Sequence, residues 1–502
     1  RDDVESRGLG DVYKRQVLDL SGVTLLDAYS LSGCMSDKIV NEGKVNYIDM
    51  NAFVGSIFTL KSTDSSVAMA GTMLVDVNAG FDETDFPKEI SVVRDNIDLT
   101  KVNNAHFHSL KVFDVFRGHT NLSFGRLCFS GDDSFELSAL TSRNEYGCFN
   151  NIEEFDINNQ YYKTIDGIVY SNDGKTLIAC PGKKEGTIKV AEGTKYVLKC
   201  AFYNSHVSEI IFPDSLIELG PESINSCDNL QHIDFGKGIK RIGGADMPTI
   251  SYCESLTELD IPEQVEVIGI NAFYCLKGLT TVHFHDGIKR IERYAFASCD
   301  KLNDITLPES VTNIGQFAFG AAENIHLQGH CLPRGLVKSV AQNSTAVYAP
   351  TEDMRAELLR SVVTVEINGT VVYIPKYMTT ETINRSDDRF NTYGLTDEFY
   401  IFIYEMASCT NARQDIAAKI YKLTKNEEVG SYLRRISNSY SSRLLKEGRE
   451  EDLVEFLKLG LMTENATKKL LKKADEKEAA IVSAYILRLI DNTSITKTSF
   501  KL

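Results

Sequence analysis

Apolar-x-apolar triplets recur through the middle of the chain at a nearly constant interval, and this interval constrains the fold more than any other feature. Their last residues lie 22, 23, 26, 23 and 23 positions apart and are Val190, Phe212, Phe235, Ile261, Phe284 and Leu307. One repeat of this length cannot bury its own apolar side chains, whereas stacked repeats bury them in a continuous column. The spacing predicts a repeat solenoid with short parallel strands, one in each coil of about 23 residues.

Other residue types recur at fixed places within this period. Proline follows three of the triplets, at Pro213, Pro262 and Pro308. An Ala-Phe pair comes later in the coil, at Ala201-Phe202, Ala272-Phe273, Ala295-Phe296 and Ala318-Phe319. We place five cysteines at one equivalent inward position, namely Cys200, Cys227, Cys253, Cys275 and Cys299. We interpret them as small buried apolar residues rather than redox or metal-binding groups, because free cysteine is among the most buried residue types.

Residues 253–284 resemble a known repeat almost position by position. The matching residues are, in order, Leu259-Asp260-Ile261-Pro262, Val265, Ile268-Gly269, Ala272-Phe273, Cys275 and Leu279. This order resembles the BspA-like leucine-rich repeat family, which includes bacterial surface proteins implicated in adhesion to host proteins or to other cells. The resemblance therefore implies a leucine-rich-repeat solenoid and a role in protein binding.

The repeat pattern is uneven along the chain, and this predicts several regions. Residues 17–150 read as degenerate leucine-rich repeats, and residues 151–350 as regular ones with a hairpin insertion at 166–180. Residues 351–378 are expected to form a helix and a hairpin about Asn368-Gly369. We interpret this last region as a cap, because an end coil must cover its exposed face.

Helical spacing of apolar residues replaces strand alternation towards the C-terminus. We place a domain boundary near residues 376–394 and a small all-α domain at 395–492. Its first helix is expected to start at Thr396 or Asp397. The stretch Glu450–Thr463 resembles an ankyrin-type helical repeat, and its final threonine is placed to cap the following helix.

The first residues are excluded from this reasoning. The run Asp11-Val12-Tyr13-Lys14-Arg15-Gln16 resembles translated transposon-end adapter sequence, a contaminant of metagenomic assemblies. We therefore interpret residues 1–16 as non-native and expect the true N-terminus to be missing. The compartment stays open on this evidence, with both the cell surface and the cytoplasm compatible with the sequence.

Charge and composition argue against several functional classes. The formal charge of −16 and the pI near 5.2 argue against a chain that binds nucleic acid. Residues 411–502 differ from the rest in being basic, with 18 Lys and Arg against 13 Asp and Glu. No apolar run is long enough to predict membrane insertion. The 11 cysteines show no CxxC or zinc-type spacing. Phosphate-loop, hydrolase and kinase motifs are also lacking, so we predict a non-enzymatic protein without a cofactor.

The most chemical-looking feature is the outward face of the repeat strands, where alternate side chains point away from the buried column. We call this face the polar strip, and its residues are His232, Asp234, Glu258, Asp260, Thr281, His283, Asp304 and Thr306. Three readings are open for it: a solvated strand face, a surface for partner recognition, or a site where histidine and carboxylate side chains bind a divalent metal. The pairs His106-x-His108 and His283-x-His285 are interpreted as surface residues.

The exposed-looking tyrosines Tyr203, Tyr252 and Tyr274 are candidate anchors for a protein partner, with local packing as the alternative role. Three functional hypotheses follow for the whole chain. The leading one is a protein-protein interaction module, in the form of a bacterial adhesin that binds host or cell proteins. The second is an intracellular scaffold. The third is a metal-binding or enzymatic protein that uses the polar strip.

Overall fold

The computed structural model describes residues 17–36, 38–60, 65–78, 80–116, 124–131, 149–244, 246–330, 332–393, 405–407 and 409–498. Two compact units are present. The described residues up to Ile288, with Ala295–Lys301, form the first, and Lys289–Tyr294 with the described residues from Leu302 onwards form the second. Residues 1–16 and the helix start predicted at Thr396 or Asp397 lie outside the described residues. The other domain boundaries proposed above remain predictions.

Short strands make up most of the first unit, with the short helices α1 (Ile57–Leu60) and α2 (Leu110–Val115) between them. In chain order the strands are β1 (Val17–Asp19), β2 (Leu25–Leu26), β3 (Lys38–Val40), β4 (Tyr47–Ile48), β5 (Val67–Ala70), β6 (Met73–Val77), β7 (Glu83–Phe86), β8 (Val92–Val93), β9 (Asn104–Phe107), β10 (Phe124–Phe129), β11 (Ile152–Ile157), β12 (Tyr162–Ile165), β13 (Ile168–Ser171), β14 (Thr176–Ala179), β15 (Gly186–Lys189), β16 (Tyr196–Val197), β17 (Phe202–Tyr203), β18 (Val207–Ile211), β19 (Glu218–Leu219), β20 (Ile224–Asn225), β21 (His232–Asp234), β22 (Arg241–Ile242), β23 (Ile250–Ser251), β24 (Glu258–Ile261), β25 (Val267–Ile268), β26 (Phe273–Tyr274) and β27 (Thr281–Phe284).

Each regular coil of the first unit contributes three short strands, and equivalent strands of successive coils pair in parallel. The triplet strands β15, β18 and β21 form one ladder, and β24 pairs with β27 in the same way. A second set contains the pairs β16–β19 and β22–β25. A third contains β17, β20, β23 and β26, which carry the Ala-Phe position. The predicted leucine-rich-repeat solenoid is confirmed.

The upstream part of the first unit has longer strands and a core rich in phenylalanine. β7, β9, β10 and β11 form a parallel sheet over Phe86, Phe107 and Phe155, which are buried. The strands β13 and β14, within residues 166–180, pair in antiparallel fashion. The coil here is therefore interrupted by a hairpin before the regular repeats begin.

Stacked aromatic rings fill the column beneath the regular coils. Phe202, Phe273 and Phe296 are at most 1% exposed, and the rings of Phe273 and Phe296 stack with centroids 5.0 Å apart. These phenylalanines belong to the recurring Ala-Phe pair, whose alanine is also buried. Both members of the pair therefore belong to the buried column.

Two glycines at equivalent places in different coils mark a point where the backbones of successive coils approach closely. Gly238 and Gly287 both begin the sequence Gly-Ile-Lys-Arg-Ile. A Cβ atom at Gly287 would lie 1.6 Å from the carbonyl oxygen of Glu263, and one at Gly238 would lie 2.3 Å from that of Asp214. Because the obstructing atoms are backbone, no side-chain movement relieves the contact. The sequence analysis did not single out these glycines.

The second unit combines the last coils with helices. Its strands are β28 (Arg290–Ile291), β29 (Asp304–Leu307), β30 (Asn313–Ile314), β31 (Asn324–Leu327), β32 (Gln342–Asn343), β33 (Val362–Ile367), β34 (Thr370–Pro375) and β35 (Tyr377–Met378). Its helices are α3 (Leu336–Val340), α4 (Glu352–Leu358), α5 (Thr380–Tyr393), α6 (Thr410–Thr424), α7 (Glu427–Lys446), α8 (Glu450–Lys458), α9 (Glu464–Glu476) and α10 (Ala480–Thr498).

A hairpin ends the parallel ladder of the second unit. β29, β31 and β33 pair in parallel, and β34 returns antiparallel to β33 around Asn368-Gly369. Asn368 and Gly369 both have positive φ, as a two-residue hairpin turn of this kind requires. The helix expected before this hairpin is α4, which is capped by the side chain of Thr351.

The boundary placed near residues 376–394 proves to be helical over most of its length. Helix α5 packs against α3, and the side chains of Ile383 and Phe390 on α5 are buried. The carboxylate of Asp387 is also buried, and it lies 3.4 Å from the ammonium of Lys338. These apolar residues are too widely separated by polar ones to stand out in the sequence, which explains why the helix was not predicted.

The C-terminal helices are held together by an apolar core and by one buried carboxylate. The side chain of Thr463 accepts the N–H of Ala466 and caps α9, as predicted. Asp415 on α6 is 8% exposed and binds the guanidinium groups of Arg443, at 2.5 Å, and Arg449, at 2.9 Å. A buried carboxylate needs such partners, because burial alone penalises its charged form.

Phe273→Ala is expected to destabilise the folded chain by about 3–5 kcal/mol, because it opens a cavity beside Phe296 in the aromatic column. Urea unfolding followed by circular dichroism measures this loss. Tyr348→Ala is the control, since Tyr348 is 88% exposed and its removal leaves no cavity. An equal midpoint for the two variants would contradict the inward position of Phe273.

Gly287→Ala is expected to destabilise the chain by about 1–3 kcal/mol, because the new methyl group overlaps the backbone of the preceding coil. Gly244→Ala is the matched control. It makes the same change where no atom lies within 4 Å of the added Cβ. Both variants lower the conformational entropy of the unfolded chain by a similar amount, so a difference between their urea midpoints reports the contact itself. Equal midpoints would show that the coils can separate at this point without cost.

Candidate functional site

All eight residues of the polar strip are exposed. In the first unit they flank buried residues of the triplet strands: His232 and Asp234 lie on either side of Ile233. Glu258 and Asp260 flank Leu259 on β24, and Thr281 and His283 flank Val282 on β27, in the same pattern. In the second unit, Asp304 and Thr306 flank Ile305 on β29. The alternation expected from the sequence is therefore present on every one of these strands.

Neighbouring strip residues form separate ion pairs rather than one cluster. The Nε2 atom of His283 lies 2.7 Å from Oε1 of Glu258, and Nε2 of His285 lies 2.7 Å from Oδ1 of Asp260. Each imidazole thus has its own carboxylate on the adjacent strand. Exposed pairs of this type contribute only about 0–1 kcal/mol to stability. The strip is consequently available for other contacts at little cost to the fold.

The strip does not gather metal ligands as one reading of the sequence suggested. Asp234 uses Oδ1 to accept the backbone N–H of Gly236 at 2.9 Å, which closes its own turn. Among the residues that the structure describes, no three His, Cys, Asp or Glu ligand atoms of the strip converge on one point. Its geometry therefore favours a polar surface over a metal centre.

A different group of ligand atoms does converge in the first unit. One ligand atom from each of Asp85, His106 and His108 lies within 4.8 Å of the other two. The sequence analysis treated His106 and His108 as surface residues and did not include Asp85. The signal that could have found it is the spacing: Asp85 precedes His106 by 21 residues, which is close to one coil.

The cysteine pattern needs a correction. Cys227 and Cys253 lie two residues after β20 and β23, in buried positions that are equivalent in successive coils. Cys200 instead precedes β17, and Cys275 directly follows β26 and is only partly buried. Both have positive φ values of 56°. The five cysteines therefore do not share one position, because residue type was aligned without regard to the Ala-Phe frame.

Burial makes several thiols poor nucleophiles. Desolvation raises the pKa of Cys180 to about 12 and that of Cys299 to about 12. It also raises the pKa of Cys227 well above its ordinary value. The Cys227 thiol donates to the backbone carbonyl of Phe202, in the preceding coil, at 2.8 Å. These groups act as packing residues that bind backbone, and thiolate chemistry at neutral pH is disfavoured for them.

Tyrosines provide apolar area on the third set of strands. Tyr252 is exposed, and its ring meets that of Tyr274 edge to face with centroids 5.8 Å apart. Tyr203, on β17, is half-buried and lies at the position equivalent to that of Tyr274 on β26. Tyrosine combines a large ring with a polar hydroxyl, which suits a protein interface. These tyrosines lie on different strands from the polar strip and form a separate candidate contact area.

Within the described part of the chain, no helix combines the length and apolar character that a membrane crossing requires.

Part of the chain matches a known repeat family. Residues 183–246 and 249–331 match the family described as BspA type leucine rich repeat region, in six copies. No curated protein matches the chain.

Three solved structures illustrate the similarity. A leucine-rich repeat protein from Eubacterium ventriosum is 16% identical, with a TM-score of 0.32, and the match covers 64% of this chain and 79% of that one. A leucine rich cell surface protein from Faecalibacterium prausnitzii is 19% identical, with a TM-score of 0.33, and the match covers 63% of this chain and 79% of that one. The pneumococcal vaccine antigen PcpA is 13% identical, with a TM-score of 0.26, and the match covers 68% of this chain and 75% of that one. With its strand ladders and repeat match, the chain is a leucine-rich-repeat solenoid followed by a helical region.

Proposed function

We propose that the chain is a non-catalytic module that binds a protein partner through the polar-strip residues of the first unit, from His232 to His283. The observation that carries this proposal is the alternation of exposed polar residues with buried or half-buried apolar ones on β21, β24 and β27. The buried residues hold the strands in place, while the exposed ones have no packing role. The exposed residues can therefore be chosen for contacts with a partner without disturbing the core.

Pre-organisation supports the proposal. Strands β24 and β27 pair in register, with Glu258 beside Thr281 and Asp260 beside His283. Side chains held on a hydrogen-bonded ladder lose less conformational entropy on binding than side chains on a mobile loop. The carboxylates and imidazoles of the strip offer both acceptors and donors. A partner with basic and hydroxyl-bearing side chains fits this surface.

The BspA-type repeats support a finer form of the proposal, in which the partner is a host or cell protein and the activity is adhesion by a bacterial surface protein. An intracellular scaffold is the rival form, and the free cysteines favour it. The two forms differ in whether the native gene encodes a secretion signal upstream. Sequencing that upstream region distinguishes them.

Replacing Asp234, Asp260 and His283 together with alanine is expected to weaken partner binding at least about tenfold, or about 1.4 kcal/mol, without unfolding the chain. The partner is first obtained by affinity capture from a native lysate and mass spectrometry. Its Kd is then measured by calorimetry, with circular dichroism as the test of folding.

The control variant replaces Glu192 and Glu218, two exposed carboxylates outside the triplet strands. It removes the same formal charge as the triple variant, so it separates a local contact from a general electrostatic effect. An unchanged Kd for the triple variant would refute the role of the strip. An equal loss in the control variant would refute it as well, since net charge alone would then explain binding.

A further inference from the structure

We propose that Asp85, His106 and His108 form a binding site for a first-row divalent transition-metal ion, with Zn²⁺ as the representative ion. Asp85 lies on β7, His106 lies on β9, and His108 directly follows β9. The two strands are parallel neighbours, with Asp85 in register with His106. Alternation along each strand sends all three side chains to the same outward face.

The strands that carry these ligands are fixed from the opposite face. Phe86 and Phe107 alternate with the ligand residues and are fully buried, and their rings stack with centroids 4.5 Å apart. Phe107 also meets the rings of Phe113 and Phe116 edge to face. A metal site needs its ligands held within a fraction of an ångström. The aromatic core supplies this rigidity before any ion binds.

The distances between ligand atoms suit a small cation. Oδ1 of Asp85 lies 2.7 Å from Nε2 of His108 and 3.4 Å from Nδ1 of His106. Zinc bonds of about 2.0–2.1 Å in tetrahedral geometry place ligand atoms about 3.3 Å apart. The observed values lie on either side of this spacing. One carboxylate shared between two imidazoles is thus close to the arrangement that an ion at their centre would impose.

Neighbouring polar groups support the site. The other ring nitrogen of His108, Nδ1, lies 3.1 Å from the hydroxyl of Ser130, which orients the ring so that Nε2 faces Asp85. Oε1 of Glu83 lies 3.5 Å from Nδ1 of His106, but Glu83 is not among the three converging ligands. Two imidazoles with carboxylates suit Zn²⁺ and related ions, whereas Mg²⁺ and Ca²⁺ favour oxygen ligands throughout.

The chain contains a matched arrangement that lacks this convergence. His283 lies on β27 and His285 directly follows it, but each pairs with a different carboxylate of the neighbouring parallel strand β24, Glu258 or Asp260. The same His-x-His motif therefore gives two separate ion pairs there and one shared carboxylate at Asp85. This contrast makes the His283 and His285 pair an internal control.

The test is titration of the full chain, without an affinity tag and freed of metal by chelation, with Zn²⁺ in a calorimeter. We expect the wild-type chain to bind one equivalent of Zn²⁺ with high affinity. In the His106→Ala, His108→Ala double variant, the affinity for this equivalent is expected to be at least about 100-fold lower. The corresponding double variant at His283 and His285 is expected to retain it. Asp85→Asn preserves shape and is expected to weaken binding too, and circular dichroism reports whether each variant folds.

Co²⁺ absorption provides a second readout, which distinguishes imidazole and carboxylate ligands from thiolate ligands. The bound ion is expected to show d–d bands without sulfur charge transfer, because Cys128, in register with His106 on the next strand, is not among the converging ligands. The proposal is overturned if the wild-type chain takes up no Zn²⁺ at micromolar concentration. It is also overturned if both double variants bind equally, or if the Co²⁺ spectrum is that of a thiolate site.

Discussion

The parallel pairing of equivalent strands in successive coils is the constraint on which the rest of the structure depends. In the first unit β18 pairs with β15 on one side and with β21 on the other, so its inward residues, such as Ile210, always meet inward residues. This pairing decides which side chains are buried before any particular contact is considered. The outward residues are then released from packing, and both proposed binding surfaces consist of such residues.

Local alternation explains how much could be predicted from the sequence. The exposure of His232 and Asp234 follows from Ile233 between them, and the buried Phe273 follows from its place in the repeat. By contrast, the meeting of Asp85 with His106 depends on the pairing of β7 with β9 in the irregular upstream coils, where no triplet pattern reveals the register. Helix α5 was not predicted because the polar residues Ser386 and Asp387 lie between Ile383 and Phe390 on its buried face.

The two His-x-His motifs differ in the contacts that their imidazoles make. Asp85 contacts both His106 and His108, whereas His283 and His285 contact different carboxylates, those of Glu258 and Asp260. The adjacent strands carry the same Glu-x-Asp sequence in the same register, because Asp85 pairs with His106 and Asp260 pairs with His283. On two ladders with equivalent residues, the orientation of the side chains therefore decides whether ligand atoms converge.

The hairpin of β33 and β34 has a consequence for assembly. A parallel ladder ends in a strand whose unpaired amide and carbonyl groups invite a copy of the same molecule, as happens in fibre growth. Here β34 runs in the reverse direction, ends at Pro375, and packs against α6, where the ammonium of Lys419 lies 5.5 Å from the ring centre of Tyr373. This end of the ladder in the second unit thus disfavours end-to-end polymerisation through an exposed strand edge.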